Sequence, residues 1–109
     1  MEVKNIFDIP KGNPEKQETF ETLIKNENLL IERIITHKPY DKPGEWYDQE
    51  KDEWVVLLEG EAEIEFRDKK NIKLFKGDYI FIPAHKTHRI KQTSLKEKCI
   101  WLAIYGNLK

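Results

Sequence analysis

The run VVLLEGEAEIEF, from Val55 to Phe66, constrains this chain more than any other stretch. In its second half, Ala62, Ile64 and Phe66 alternate with Glu61, Glu63 and Glu65. Successive side chains of an extended strand point to opposite faces, so a spacing of two buries one face and wets the other. The segment WVVLLE just before it is apolar on both faces, as expected for a strand between two packed layers. NIKLF, DYIFIP and CIWLAIY are rich in β-branched and aromatic residues and are bounded by the turn-forming RDKKN, KGD and SLKEK. LLIERIITH reads as a further strand and ends at KPYDKPGE, whose two prolines and glycine mark a loop. Short strands at this spacing, with no long helix, predict an all-β antiparallel sandwich or barrel.

The early segment NPEKQETFETLIKNEN admits two readings. Asn13 followed by Pro14 resembles a helix start, with Phe20, Leu23 and Ile24 on one short stripe. Alternatively FETLI, a turn at KNEN and then LLIERII form a hairpin. The hairpin is preferred, because its second arm is so plainly a strand. At 109 residues the chain has room for one domain with one modest core, residues 1–27 supplying early strands and 28–109 the rest.

Charge and targeting signals narrow the function classes. Nineteen basic and 20 acidic residues are spread along the chain, for a net charge of −1, which argues against a nucleic-acid or polybasic membrane surface. No apolar run approaches the roughly 20 residues of a membrane span. The start MEVKNIFDIPKGN lacks the cationic and apolar regions of a signal peptide, so a soluble cytoplasmic protein is expected. The single cysteine, Cys99, cannot form an internal disulfide and reads as a buried structural thiol. There is no G-x-S-x-G, no Gly-rich phosphate loop and no C-x-x-C.

EWYDQEKDEW, from Glu45 to Trp54, gathers five acids and a lysine around two tryptophans and a tyrosine, and feeds directly into the apolar strand. Glu53 stands seven positions before Gly60. Downstream, GDYIFIPAHKTH sets Gly77, Pro83 and His88 at fixed intervals. The pairing resembles the cupin family, whose motifs are written G-x5-H-x-H-x3–4-E-x6-G and G-x5-P-x-G-x2-H-x3-N. Glu53 and Gly60 match the end of the first motif; Gly77, Pro83 and His88 match the second. The resemblance runs from about Arg33 to Tyr105 and implies a single antiparallel β-barrel of jelly-roll type.

In the family the two histidines of H-x-H, the glutamate and the later histidine ligate one divalent metal. Here the H-x-H positions fall on Trp46 and Asp48, or, with the shorter spacer, on Tyr47 and Gln49. The glycine of the second motif is His85, and its final asparagine is Gln92. The resemblance therefore implies a metal site rebuilt from Asp48, Gln49, Glu53 and His88, an oxygen-and-nitrogen set suited to Mn(II), Fe(II), Ni(II) or Zn(II). His85 or His37 would supply a second imidazole, and which of Asp48 and Gln49 points inward stays open.

Each residue also has a plainer role. Trp46, Trp54 and Trp101 read as packing, Glu50 and Asp52 as ordinary loop acids, His85 as a turn residue and Gln92 as solvent-facing. Glu53, if buried, needs either a metal or a cation, for which Arg33 on a neighbouring strand is the candidate. Two functions follow. One is a metal-dependent enzyme of dioxygenase, isomerase or lyase type acting on a small polar substrate, with Tyr47 as the acid/base residue. The other is a non-catalytic cupin that binds or senses a small molecule without metal. In either case a homodimer is expected, because WVVLLE and IWLAIY carry more two-faced apolar surface than a lone barrel needs.

Overall fold

A computed structural model describes residues 1–10 and 16–109. Eight strands account for its regular structure: β1 (Glu18–Lys25), β2 (Leu29–Thr36), β3 (Asp52–Glu59), β4 (Ala62–Phe66), β5 (Asn71–Leu74), β6 (Tyr79–Ile82), β7 (His88–Thr93) and β8 (Cys99–Gly106). They form two antiparallel sheets, of five strands in the order β1-β2-β8-β3-β6 and of three in the order β5-β4-β7. The all-β antiparallel architecture expected from the alternation is what the chain adopts.

The hairpin reading of the early segment holds. β1 and β2 pair antiparallel from Glu18↔Thr36 to Lys25↔Leu30, around a turn in which the Asn26 side chain accepts from the amides of Asn28 and Leu29. Phe20, Leu23 and Ile24 are thus strand residues. The helix start considered at Asn13 and Pro14 lies outside the described residues.

The core sits between the sheets. Val55 and Leu57 of β3 and Trp101 and Ala103 of β8 face Ile64 and Phe66 of β4 in one buried cluster. Removing these side chains from water, at about 25 cal/mol per Å² of apolar surface, is the main force that closes one sheet on the other. Cys99 is part of the cluster, and burial pushes its thiol pKa up, as suits a packing residue. Gly60 has φ 90°, and a Cβ there would lie 2.7 Å from Cys99 Sγ. Only glycine accepts that backbone and that approach, so the turn between β3 and β4 depends on it.

The two-faced segments WVVLLE and IWLAIY turn out to be the inner strands β3 and β8 of the larger sheet. Their second apolar face is the outer face of that sheet. One row of cross-strand partners there, Phe81, Trp54, Ile104, Ile31 and Ile24, spans all five strands without a charge.

Candidate binding cavity

The register of the larger sheet decides which side chains enter the barrel. Glu53 pairs with Tyr105 and with Ile82, and Glu32 pairs with Ala103. Ala103 and Ile82 belong to the buried core cluster, so these positions face inward. Across the barrel, β7 contributes His88 and Ile90. Together they line a cavity of about 420 Å³, within the ~300–1,000 Å³ range of small-molecule sites.

His88 is held by both backbone and side chain. Its amide donates to Tyr47 O at 3.1 Å and its carbonyl accepts from Tyr47 N at 2.7 Å, which ties the EWYDQ segment alongside β7. Its Nδ1 lies 2.9 Å from Lys86 O, which makes Nδ1 the donor and turns Nε2 towards Glu53, 3.6 Å away. Glu53 is only 6% exposed, and His88 Nε2 is its ion-pair partner among the described residues. Burial by itself lowers the His88 pKa, but the Glu53 carboxylate and the Lys86 carbonyl outweigh it and leave the pKa raised. The imidazole of His88 and the carboxyl of Glu53 thus face each other inside the cavity, with His88 held by the Lys86 carbonyl.

The structure resolves the register question. Gln49 and Tyr47 line the cavity, whereas Asp48 points away and binds His85 Nδ1 at 2.8 Å in an exposed pair. Successive residues of an extended segment alternate, so the two inward positions are Tyr47 and Gln49. Tyr47 sits half-exposed at the mouth, and burial followed by Glu18, Glu45 and Glu53 raises its pKa. A hydroxyl held protonated in this way donates to a ligand more readily than it removes a proton, which weakens the acid/base role expected for Tyr47.

Other expectations need correction. Arg33 does not reach Glu53. It pairs with Leu102, an outward position, and its guanidinium binds Glu21 at 2.8 Å and the carbonyls of Ile6 and Asp8. Asp52 is no loop acid but the buried first residue of β3, accepting from the amides of Ala84 and Leu108. Those two amides hold its pKa below the usual carboxylate value. Glu50 lies at the cavity rim, exposed. His85 occupies a turn as expected, and with φ 63° it adopts the left-handed backbone that the motif's glycine would take. His37 lies by β1, its Nε2 2.7 Å from Thr19 Oγ1, and does not line the cavity. Gln92 is exposed and binds Glu63.

Three lining residues escaped the sequence reading: Glu18, Glu32 and Tyr105. Glu18 accepts from Tyr40 Oη at 2.6 Å and from Thr36 Oγ1 at 2.8 Å, and burial, only partly offset by these bonds, raises its pKa. Burial likewise raises the pKa of Glu32, against the Tyr105 hydroxyl beside it. One signal was available for Glu32. In LLIERII it shares a face with Leu30 and Ile34, and an acid on an otherwise apolar face has to be explained.

Among the described residues, no three His, Cys, Asp or Glu side chains converge as a metal cage. Glu53 and His88, with the amide of Gln49, fall short of the three strong protein ligands that even an open catalytic zinc site retains. The residues present do not fit the divalent metal that the family's motifs imply.

A family model for the Cupin domain matches residues 34–105. Among solved structures, a Ralstonia eutropha JMP134 protein provisionally named a mannose-6-phosphate isomerase is 36% identical, with a TM-score of 0.85, the match covering 98% of this chain and 99% of that one. A cupin superfamily protein of Desulfitobacterium hafniense DCB-2 is 24% identical over 89% of this chain and 83% of its own, with a TM-score of 0.71. A protein of Thermus thermophilus reaches a TM-score of 0.79 at 20% identity over 97% of each chain, a likeness of fold. None of the curated proteins matches the sequence.

Proposed function

The chain belongs to the cupin family, and from that premise we propose that its cavity binds a small organic molecule directly, without a resident metal ion. The observation that carries the reading is Glu53, a buried carboxylate whose nearest cation is His88 Nε2 at 3.6 Å. At that distance the contact to His88 leaves the carboxylate room for a shorter hydrogen bond, which a ligand entering the cavity can donate. Gln49 and Tyr47 add hydrogen-bonding groups at the mouth, while Val55, Ile64, Ile82 and Ile90 supply an apolar wall.

The name of the Ralstonia relative points to a phosphorylated sugar. The electrostatics of this cavity oppose that substrate for this chain. Glu18, Glu32, Glu50 and Glu53 line it, against His88 and a rim lysine, Lys51. A phosphate dianion there would meet several carboxylates within a Debye length.

The test is a set of metal titrations. Mn(II), Fe(II), Ni(II) or Zn(II), added singly in slight excess, should leave the thermal midpoint unchanged within about 1 °C. Saturable stabilisation by one of them, absent in the Glu53→Gln protein, would instead establish the metal-dependent enzyme.

We also propose that the charge-free outer row pairs with the same row of a second copy. Four strands of eight residues and one of four, at about 4.8 Å by about 3.3 Å, give an outer face of roughly 570 Å², below the ~800 Å² per partner of a standard interface, so a weak dimer is expected. A twofold axis brings a patch against itself, so a neutral apolar patch is self-complementary. Trp54, 5.3 Å from the ring of Tyr79, lies near its centre. Sedimentation equilibrium should give a dimer of the 13.1 kDa chain, and Trp54→Glu should dissociate it. A parent that sediments as monomer even at high protein concentration removes the proposal.

A further inference from the structure

The acids of the described chain differ in how they are satisfied. Glu21 has Arg33, Glu65 has Arg89 at 2.7 Å, Asp68 has Lys86 at 2.6 Å, and Asp52 has two backbone amides. Glu18 has two hydroxyl donors. Glu53 is more buried than any of these, and its partner is His88 Nε2 at the longer distance of 3.6 Å. It opens onto the cavity together with Glu32, on an adjacent inward row of the same sheet.

Around these carboxylates the cavity is aromatic and aliphatic. Trp101 and Tyr105 stand on the five-stranded sheet, Phe20 on β1 and Tyr47 at the mouth. The faces of such rings carry negative potential and attract cations. Carboxylates at one point and ring faces and aliphatic wall elsewhere match one ligand chemistry: a positively charged nitrogen on an apolar body. A bare hard cation does not suit the site, because calcium takes about six to eight oxygens and magnesium a near-ideal octahedron.

Building on the metal-free reading above, we infer that the cavity selects organic ammonium ions, the ammonium group seated between Glu53 and Glu32 and the apolar body against Trp101 and Ile90. The ligand supplies charged N–H donors that can approach Glu53 more closely than His88 Nε2 does. Neutral molecules of the same shape fill the cavity but offer that carboxylate at most an uncharged donor, and anions are repelled.

Three probes of nearly equal shape test this by titration calorimetry at pH 8 on the full chain: phenethylamine, 2-phenylethanol and 3-phenylpropionate. Phenethylamine should bind at least about tenfold tighter than the alcohol, which is about 1.4 kcal/mol, and the carboxylate should not bind. Glu53→Gln should erase the difference between amine and alcohol while leaving a folded β-sheet spectrum by circular dichroism. Asp48→Asn, on the far side of the segment, should leave amine binding unchanged. Equal or tighter binding of the alcohol or the carboxylate overturns the cation preference while leaving a metal-free binding site in place. Absence of binding by all three at millimolar concentration overturns it as well. Metal found in the purified protein overturns the underlying reading instead, so the two failures are distinguishable.

Discussion

The inner and outer faces of the five-stranded sheet are built from the same strands and carry similar apolar side chains, yet they treat their acids differently. On the outer face the row Phe81–Trp54–Ile104–Ile31–Ile24 has no charge, and in the next row Glu21 is paired with Arg33. The inner rows include Glu53 beside Tyr105 and Glu32 beside Ala103, with no arginine or lysine bridged to either among the described residues. Packing alone would put valine or leucine at both inner positions, since a buried carboxylate loses solvation worth several kcal/mol. Apolar surface on the outside of a small barrel points to assembly, and acid facing no arginine or lysine on its inside points to a ligand.

Leu57 and Val56, neighbours on β3 that face opposite ways, should distinguish the two faces by the largest margin. Leu57 is fully buried, and Leu57→Ala should cost about 4 kcal/mol through lost burial and the cavity left behind. Val56→Ala, facing out, should cost about 1 kcal/mol or less in the dissociated chain. Urea unfolding at submicromolar concentration measures both, and equal costs would mean that the outer face is packed as tightly as the core.

A smaller effect sharpens the account of the inner acids. His88→Gln should cost about 2 kcal/mol near pH 6, because it removes the imidazole that faces the buried Glu53. His88 has its folded pKa raised above the unfolded value of 6.5. Its contribution is therefore complete below pH 6.5 and fades as pH rises through the folded pKa. The urea midpoints of parent and variant should converge on going from about pH 6 to about pH 9. A gap that widens with pH would mean that His88 and Glu53 do not act as an ion pair.

The smallest effect concerns the rim. His85 holds a left-handed backbone at φ 63°, which costs a non-glycine residue roughly 1 kcal/mol. Its exposed pair with Asp48 returns little. His85→Gly should stabilise the protein by up to about 1 kcal/mol without affecting ligand binding. A marked loss of binding would show that the pair shapes the mouth.

The legible part of the sequence was the part that rests on periodicity. Alternation in EAEIEF and the two-faced apolar character of WVVLLE defined strands and layers, because side-chain direction in a strand depends on residue parity alone. Glu53 and His88 were legible through their spacing to Gly60 and Gly77, two glycines whose positive φ anchors the turns that aim the strands. Asp48 and Gln49 could not be separated, since a shift of one residue exchanges inside for outside and only pairing with β7 fixes it. Arg33 was given to Glu53 for a related reason. The two strands were expected side by side, and β8 in fact stands between them, while parity sends Arg33 outward to Glu21. Glu18 and Glu32 were missed because an acid in a strand reads as the wet face until the partner strand is known.

Glu53 and His88 are proposed to face an organic ligand and not a metal ion. Elemental analysis of protein purified without chelators and without a histidine tag tests it most directly. The expected result is a small fraction of an equivalent of Mn, Fe, Ni or Zn per chain, unchanged in the His88→Ala protein. Near-stoichiometric content of a single metal in the parent, lost on His88→Ala, would contradict it.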